Sequence, residues 1–312
     1  MNTLHLPLLR ILLIVLCILA TASESHAEKR IGVIMTGDIP YYAAIHKTFV
    51  AELDRRFAGD ELIEILLQKP FPNPISWSNA ARKLIAYEVD LIVAYGSPAT
   101  WAVIKEKSRI PLVYAGFYEP EQAAVNAKNV TGCGFRVPLS SILRYFKRIK
   151  TVNTLGIIYS SVEEDSVRQA QKMRSLTAQQ NIKTEVINIQ SQSDLDRLKK
   201  TKSDVIFITG SSVANLWLND IISILEKRKV PAAGIFPDDA EAGMLMTLYQ
   251  PPHTQGEIAA GMARQILHGA KPADITAHTF HDTELGLNLV EAERLGIDFP
   301  IQLLIEATKV IE

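Results

Sequence analysis

The chain has 312 residues, and this length predicts two domains at roughly 150 residues per domain. Hydrophobic residues make up 47% and charged residues 21%, which supports a sizeable core and argues against a disordered chain. The formal net charge is -1, so the chain lacks the basic excess that is typical of nucleic-acid-binding proteins. Two cysteines are too few for a disulfide scaffold or a four-thiolate zinc site.

The N-terminus has the pattern of a secretory signal peptide over residues 1–27. Arg10 precedes an apolar run at residues 11–22, and Ser25 and Ala27 place small residues before a cleavage site after Ala27. The run is shorter than the about 20 apolar residues that span a membrane, although an uncleaved anchor is the alternative. We therefore predict a secreted protein.

Buried strands alternate with helices along the rest of the chain. The first series has strands at 31–35, 62–67, 90–95 and 111–115. Its helices are at 42–56 and 78–87, and a third helix follows the loop at 96–98 and ends at about 107. The second series has strands at 154–159, 184–189, 204–209, 231–236 and 243–249, and helices at 164–179, 193–200 and 213–229. Strands that are apolar throughout and alternate with helices predict parallel sheets covered on both faces. We expect two doubly wound α/β lobes with parallel sheets.

This architecture predicts the position of a ligand site. Open parallel sheets bind ligands outside the carboxyl ends of their strands, at topological switch points. The loops in that position are 36–41, 96–100, 116–120, 160–166, 209–213 and 237–239. If the two lobes face each other, these loops line one interlobe cleft, which is a favoured place for a small-molecule site.

Several stretches of this sequence resemble one protein family. They are residues 89–100, which end in Gly96-Ser97-Pro98-Ala99-Thr100, and residues 109–115, 129–132, 269–275 and 292–297. In their order and spacing the chain resembles the substrate-binding proteins of ABC transporters, of the type with tryptophan- and tyrosine-binding members. The resemblance extends over residues 30–312 and implies a type I periplasmic-binding-protein fold.

The resemblance implies a function and a division of the chain. The protein would capture a small solute by closing two lobes over it and would deliver the solute to an ABC permease in the inner membrane. Lobe 1 would comprise 28–145 plus 249–282 and lobe 2 would comprise 146–248 plus 283–312, joined by three crossovers near 143–148, 248–252 and 280–286. We expect a periplasmic monomer with no cofactor, no metal and no nucleic-acid partner.

Two other functions are alternatives to solute delivery. A periplasmic sensor that partners a membrane signalling protein has the same fold, and neighbouring permease or kinase genes would distinguish the two. An enzyme is disfavoured because the sequence has no Gly-x-Ser-x-Gly turn, no His-Glu-x-x-His helix and no Walker loop. We therefore expect no catalytic residue.

Matching the family by position gives candidate hydroxyl contacts in both lobes. Ser97 and Thr100 lie at the start of a helix, where free backbone N–H groups and the positive dipole end favour an anion such as a carboxylate. Ser160, Ser161 and Ser166 occupy the corresponding place in the second lobe. The resemblance therefore implies that hydroxyl groups from both lobes contact the solute.

The same matching gives aromatic and acidic candidates. Tyr41, Tyr42 and Tyr118 are expected to form an apolar or stacking wall. Asp238 corresponds to an acidic position that opens into the cleft and is expected to bind an ammonium or hydroxyl group. The expected solute is therefore small and amino-acid-like, aromatic or carboxylated.

One departure from the family affects the solute class. Family members commonly have an acidic turn after one strand of the second lobe, whereas this chain has Thr209-Gly210-Ser211-Ser212. Ser211 is a further candidate contact in this turn, but Gly210 has no side chain to bind an α-ammonium. Asp38, Glu119 and Asp238 are the candidates to replace the missing acid, and an anionic or neutral solute becomes more plausible.

Overall fold

The computed structural model describes residues 29–56, 62–123, 125 and 127–312, so the predicted signal peptide lies outside the described residues. The strands are β1 Lys29–Met35, β2 Ile63–Gln68, β3 Leu91–Tyr95, β4 Leu112–Tyr118, β5 Val130–Phe135, β6 Thr154–Tyr159, β7 Lys183–Asn188, β8 Val205–Ile208, β9 Ala232–Gly234, β10 Met246–Tyr249, β11 His278–Phe280, β12 Glu284–Asn288 and β13 Lys309–Ile311. The helices are α1 Pro40–Arg56, α2 Pro74–Ala86, α3 Ser97–Lys105, α4 Leu139–Ile149, α5 Glu164–Ala178, α6 Leu195–Leu198, α7 Ser212–Leu216, α8 Leu218–Arg228, α9 Pro252–Leu267, α10 Leu289–Leu295 and α11 Ile301–Glu306.

The first sheet is parallel and has the strand order β11-β5-β4-β3-β1-β2. Residues of β3 and β4 are buried along their whole length, as expected for strands covered on both faces. The chain proceeds from β1 to β2 on one side and then returns to add β3, β4 and β5 on the other side. The switch point between β1 and β3 therefore lies at the loops that begin with Thr36 and Gly96.

The second sheet has the order β13-β12-β10-β9-β8-β6-β7 and repeats this pattern, with its switch point between β6 and β8. It departs from the parallel prediction at β12, which is antiparallel to β10, with Met246 opposite Leu287. The carboxyl ends of both sheets face the other lobe. The chain passes directly from β11 of the first sheet into β12, so it enters the second sheet at the carboxyl end of the parallel strands. Strand β12 therefore runs antiparallel to its neighbour β10.

Three crossovers join the lobes, which confirms the predicted fold class of two doubly wound α/β lobes. Residues 136–153 link β5 to β6, residues 250–251 link β10 to α9, and residues 281–283 link β11 to β12. Helix α9 packs beside α1 in the first lobe. The predicted lobe limits remain a prediction, and the limit at 145 lies inside α4.

Helix α4 forms most of the first crossover and was not predicted as a helix. Its buried residues are Leu139, Ile142, Leu143, Tyr145 and Phe146, and all but Tyr145 follow the spacing of one helical face. These side chains belong to a core cluster that continues from the first sheet into the second. The core therefore ties the two lobes together on the crossover side.

Several predicted elements of the second lobe differ from the structure, and the strand predicted over 243–249 begins only at Met246. The single helix predicted over 213–229 is divided into α7 and α8 at Trp217, whose backbone angles of φ -110° and ψ 15° depart from helical values. The strand predicted over 231–236 is shortened to β9, because residues 237–239 turn into a 3-10 helix at Pro237. No helix of the described residues combines the length and apolar character needed to cross a bilayer.

Candidate functional site

The loops at the two switch points meet in the structure, so the predicted interlobe cleft is present and is closed. A Cβ built on Gly37 of the first lobe would lie 2.8 Å from the Cβ of Ser212 in the second lobe. The Arg168 guanidinium in α5 donates to the Tyr118 carbonyl at the end of β4, at 2.9 Å. We call the buried surface between these loops the seam.

The turn from β3 into α3 presents Ser97 to the seam. Gly96 adopts φ +88°, and a Cβ at this position would collide with the Tyr42 hydroxyl and with Thr36 Oγ1. Thr36 Oγ1 donates to the Tyr95 carbonyl at 2.8 Å and accepts from the Ala99 amide at 3.2 Å. This packing of small and hydroxylated residues buries Ser97 completely.

The polar groups of this turn are partly engaged already. Thr100 Oγ1 donates to the Gly96 carbonyl at 2.8 Å, so this hydroxyl is used within the helix start. The Gly96 amide donates to Ala115, and Pro98 has no amide proton. The turn therefore offers fewer free amides for an anion than the sequence analysis expected. By contrast, Ser97 Oγ has no hydrogen-bond partner among the described residues.

The three predicted serines of the loop after β6 have different positions. Ser166 Oγ accepts from the Ser160 amide at 2.9 Å and shares a hydrogen bond of 2.7 Å with Thr209 Oγ1, so it links the ends of β6 and β8. Ser161 Oγ is exposed and accepts from Asn188 at 3.1 Å. Ser160 is completely buried, and its hydroxyl lacks a partner in the described part of the chain.

Glu163 is a buried carboxyl that the sequence analysis missed, with 1% of its surface exposed. Its oxygens accept from the Ser211 hydroxyl and from the amides of Ser212, at 2.9 Å, and Val213, at 3.3 Å. Burial, aided by the nearby Asp165, raises the pKa of Glu163 to about 8. The predicted contact Ser211 is therefore already bonded to Glu163.

Asp165 is a second buried carboxyl at the seam and is only 4% exposed. Burial raises the pKa of Asp165, while Arg168 and the neighbouring Ser97 oppose that rise. Asp165 Oδ1 has no hydrogen-bond partner among the residues described. Both acids lie in the predicted loop 160–166, but their burial depends on the opposite lobe, which no local sequence pattern encodes.

Aromatic rings fill the seam beside these acids. Tyr41 stacks on Phe236 of the second lobe with ring centroids 4.6 Å apart, and Tyr42 meets the edge of Phe236 at 6.3 Å. Phe135 contacts Tyr41 at 5.8 Å and Tyr118 at 5.6 Å. The structure thus brings the three predicted tyrosines together, around two phenylalanines that the sequence analysis did not select.

The three predicted substitutes for the missing acid lie in different places, and only Asp238 lines a cavity that Tyr41 and Phe236 also line. Asp38 is exposed and forms an ion pair of 2.9 Å with Lys69. Glu119 pairs with Arg136 at 3.1 Å. Asp238 is half-buried and lines a cavity of about 230 Å³ between the lobes. None of these three carboxyls is as deeply buried at the seam as Asp165.

Comparison with known proteins gives the family. The model of the family described as ABC transporter substrate binding protein matches residues 69–311. No curated protein matches the chain. Many solved structures match, and those reported below show the fold.

Three of these structures have nearly complete coverage. An ABC domain from Streptococcus pneumonia in complex with L-Trp is 24% identical, covers 91% of this chain and 100% of its own, and has a TM-score of 0.84. A conserved domain protein from Vibrio cholerae is 22% identical, and the match covers 90% of this chain and 99% of that protein with a TM-score of 0.85. The ligand-free, open form of a substrate-binding protein from Clostridium difficile is 22% identical, and the match covers 91% of this chain and 99% of that protein with a TM-score of 0.65.

The family model covers well over half of the chain, and the solved structures share its two-lobed fold. This agreement confirms the family resemblance found in the sequence. The chain belongs to the family of ABC transporter substrate-binding proteins.

Proposed function

We propose that this protein captures a small aromatic amino acid, or a close analogue, at the seam and delivers it to an ABC importer. Family membership implies a small-molecule ligand and an ABC permease as partner. The observation that carries the solute class is the combination of stacked aromatic rings with buried polar atoms that have no partner among the described residues. These atoms are Ser97 Oγ, Ser160 Oγ, Asp165 Oδ1, Gln169 Nε2 and Ser212 Oγ.

Closure of the lobes is the working step of this function. A buried polar group without a partner costs about 1–3 kcal/mol, so a closed seam that lacks solute carries several such costs. A solute that hydrogen-bonds to these groups removes the cost in the closed state only, because Ser97 and Asp165 come from different lobes. Solute binding therefore shifts the population of the protein toward closure.

The chemistry of the seam requires binding alone. Glu163 is held by the start of α7, and Ser166 links two strand ends, so these groups support the site. The cycle consists of closure, docking on the permease and reopening, and no bond in the solute is made or broken. We further propose that cleavage after Ala27 releases the protein into the periplasm, where members of this family typically act.

The comparisons support the closed state and the solute class. The TM-score is higher with the complex that contains L-Trp than with the ligand-free, open protein, although both are covered to the same extent. The complex also supports an aromatic amino acid as the class of solute to test first.

A thermal-shift screen of amino acids, aromatic acids, nucleobases and small sugars tests the proposal. A solute at 100 times its Kd stabilises the protein by about 2.7 kcal/mol, and we expect an aromatic amino acid to produce such a rise in Tm. We expect Ser97→Ala to weaken the response because it removes a buried hydroxyl. Ser161→Ala is the control, since Ser161 is exposed and bonded to Asn188. A response only to sugars, or equal responses in both variants, would contradict the proposal.

A further inference from the structure

We infer that Asp165 binds the ammonium group of the solute and thereby selects amphoteric solutes over plain aromatic acids. This inference rests on the proposed function and assigns a role to one residue within it. Asp165 lies in the first turn of α5, directly beyond the carboxyl end of β6 and close to Ser97 of the opposite lobe.

One carboxylate oxygen of Asp165 is buried without a hydrogen-bond donor from the described residues. A carboxylate in water has all of its lone pairs solvated, and a buried one needs donors from the protein or from a ligand. Asp165 is almost completely buried, and Oδ1 forms no hydrogen bond of normal geometry within the described chain, although Ser97 lies near enough to lower the pKa of the carboxyl. An ammonium group carries three N–H donors and a positive charge. It can therefore donate a hydrogen bond to Oδ1 and at the same time compensate the negative charge of Asp165.

The charges near Asp165 also favour a cation. Glu163 lies close by but keeps its proton at neutral pH, so Asp165 is the carboxyl that brings charge, and the nearest cation is Arg168, one turn further along α5. The Arg168 guanidinium donates one hydrogen bond to the Tyr118 carbonyl, and it forms no ion pair with Asp165 in the described structure. The charge of Asp165 is therefore compensated only by a guanidinium that is partly engaged elsewhere.

The groups beside Asp165 complete the recognition of an amino acid. Gln169 Oε1 accepts from the Gly210 amide at 2.8 Å, so the orientation of this amide group leaves Nε2 as a buried donor without a partner in the described part. Ser97 Oγ is a second such group, on the opposite lobe. A solute carboxylate accepts from Ser97 and Gln169 while the ammonium donates to Asp165. The amphoteric head therefore bridges the lobes.

Calorimetric titration of the purified protein with three related probes tests this assignment. The probes are L-tryptophan, indole-3-propionate, which lacks the ammonium, and tryptamine, which lacks the carboxylate. We expect the wild-type protein to bind L-tryptophan at least about tenfold more tightly than indole-3-propionate, because a hydrogen bond to a charged group is lost. Asp165→Asn is expected to weaken L-tryptophan binding about tenfold or more and to leave indole-3-propionate binding nearly unchanged.

Two controls separate the role of Asp165 from general effects. Asp196→Asn removes an exposed carboxylate that pairs with Lys199 away from the seam, and it should keep the wild-type preference. Asp165→Ser is a second, smaller replacement that should show the same loss of preference, with folding of each variant checked by circular dichroism. A wild-type preference retained in both Asp165 variants would overturn the inference while leaving the proposed function intact. Failure of the wild-type protein to bind L-tryptophan or either analogue would instead contradict the proposed solute class, and the inference with it.

Discussion

Glu163 shows how a single buried carboxyl links this fold to pH. The structure raises the pKa of Glu163 from 4.5 to about 8, so the folded protein holds this proton over a range in which the unfolded chain has lost it. When the folded state binds more protons than the unfolded state, the free energy of unfolding decreases as the pH rises. Glu163 therefore favours the folded state most at low pH and loses this contribution between about pH 4.5 and pH 8.

We expect Glu163→Gln to flatten this pH dependence, because glutamine preserves an acceptor for the Ser211 hydroxyl but cannot ionise. Urea denaturation at pH 5, 6.5 and 8 measures the effect. The pKa of Asp239 is also raised to about 8. Asp239 is present in both the wild-type protein and Glu163→Gln, so its contribution to the pH dependence cancels when the two are compared. The control is Glu164→Gln, since Glu164 is exposed and only approaches Lys105 at 3.9 Å. Equal slopes in the wild-type protein and Glu163→Gln would contradict the assignment.

At the residue scale, the sequence predicted the site only in part. The family resemblance selected Ser97 and the tyrosines, and the carboxyl ends of apolar parallel strands predict the edge of the sheet near which they lie. The roles of Glu163 and Asp165 depend on burial by the opposite lobe, and no local pattern in the sequence encodes that contact. Ser161 and Thr100 illustrate the converse, since their hydroxyls are used by neighbouring groups that only the folded structure reveals.

At the scale of elements, the turn between β3 and α3 is the most constrained connection at the site. Gly96 has a positive φ, and a side chain at this position would collide with Tyr42 and Thr36. Any other residue there would therefore strain the backbone and also disturb the packing. We expect Gly96→Ala to destabilise the protein by about 2–4 kcal/mol and to abolish solute binding. Chemical denaturation and calorimetric titration measure the two effects.

Gly269 provides the matched control for this variant. It also has a positive φ, of +98°, but a Cβ at this position has no atom within 4 Å. Gly269→Ala should therefore cost only the backbone strain of about 1 kcal/mol and should leave binding unchanged. Equal destabilisation by the two variants would show that packing against Tyr42 and Thr36 contributes nothing.

Periodicity predicted the elements of the first series up to β4 and those of the second series from β6 to β10, whereas β5, α9 and the elements after α9 were not predicted. Helix α4 escaped prediction because its residues were assigned to a crossover, although its apolar face packs into the shared core. The division between α7 and α8 arises from the backbone at Trp217, inside a continuous apolar pattern that predicts one helix. Strand direction at β12 follows from the path between lobes, which is a property of the whole chain.

At the scale of the whole molecule, closure depends on contacts that are few and specific. The crossovers and the shared core join the lobes along one side. On the cleft side the contacts include the Tyr41–Phe236 stack, the hydrogen bond from Arg168 to Tyr118 and the approach of Lys105 to Glu164. This arrangement is suited to a hinge that opens when the solute is absent.

Small-angle X-ray scattering of the purified protein, without solute and at saturating L-tryptophan, tests whether solute capture closes the lobes. We expect the ligand-free profile to show a larger radius of gyration than the closed structure has. Saturation should then move the profile to that calculated from the closed structure, because bound solute satisfies polar groups of both lobes. A profile that stays unchanged while calorimetry shows the site to be saturated would contradict capture by closure.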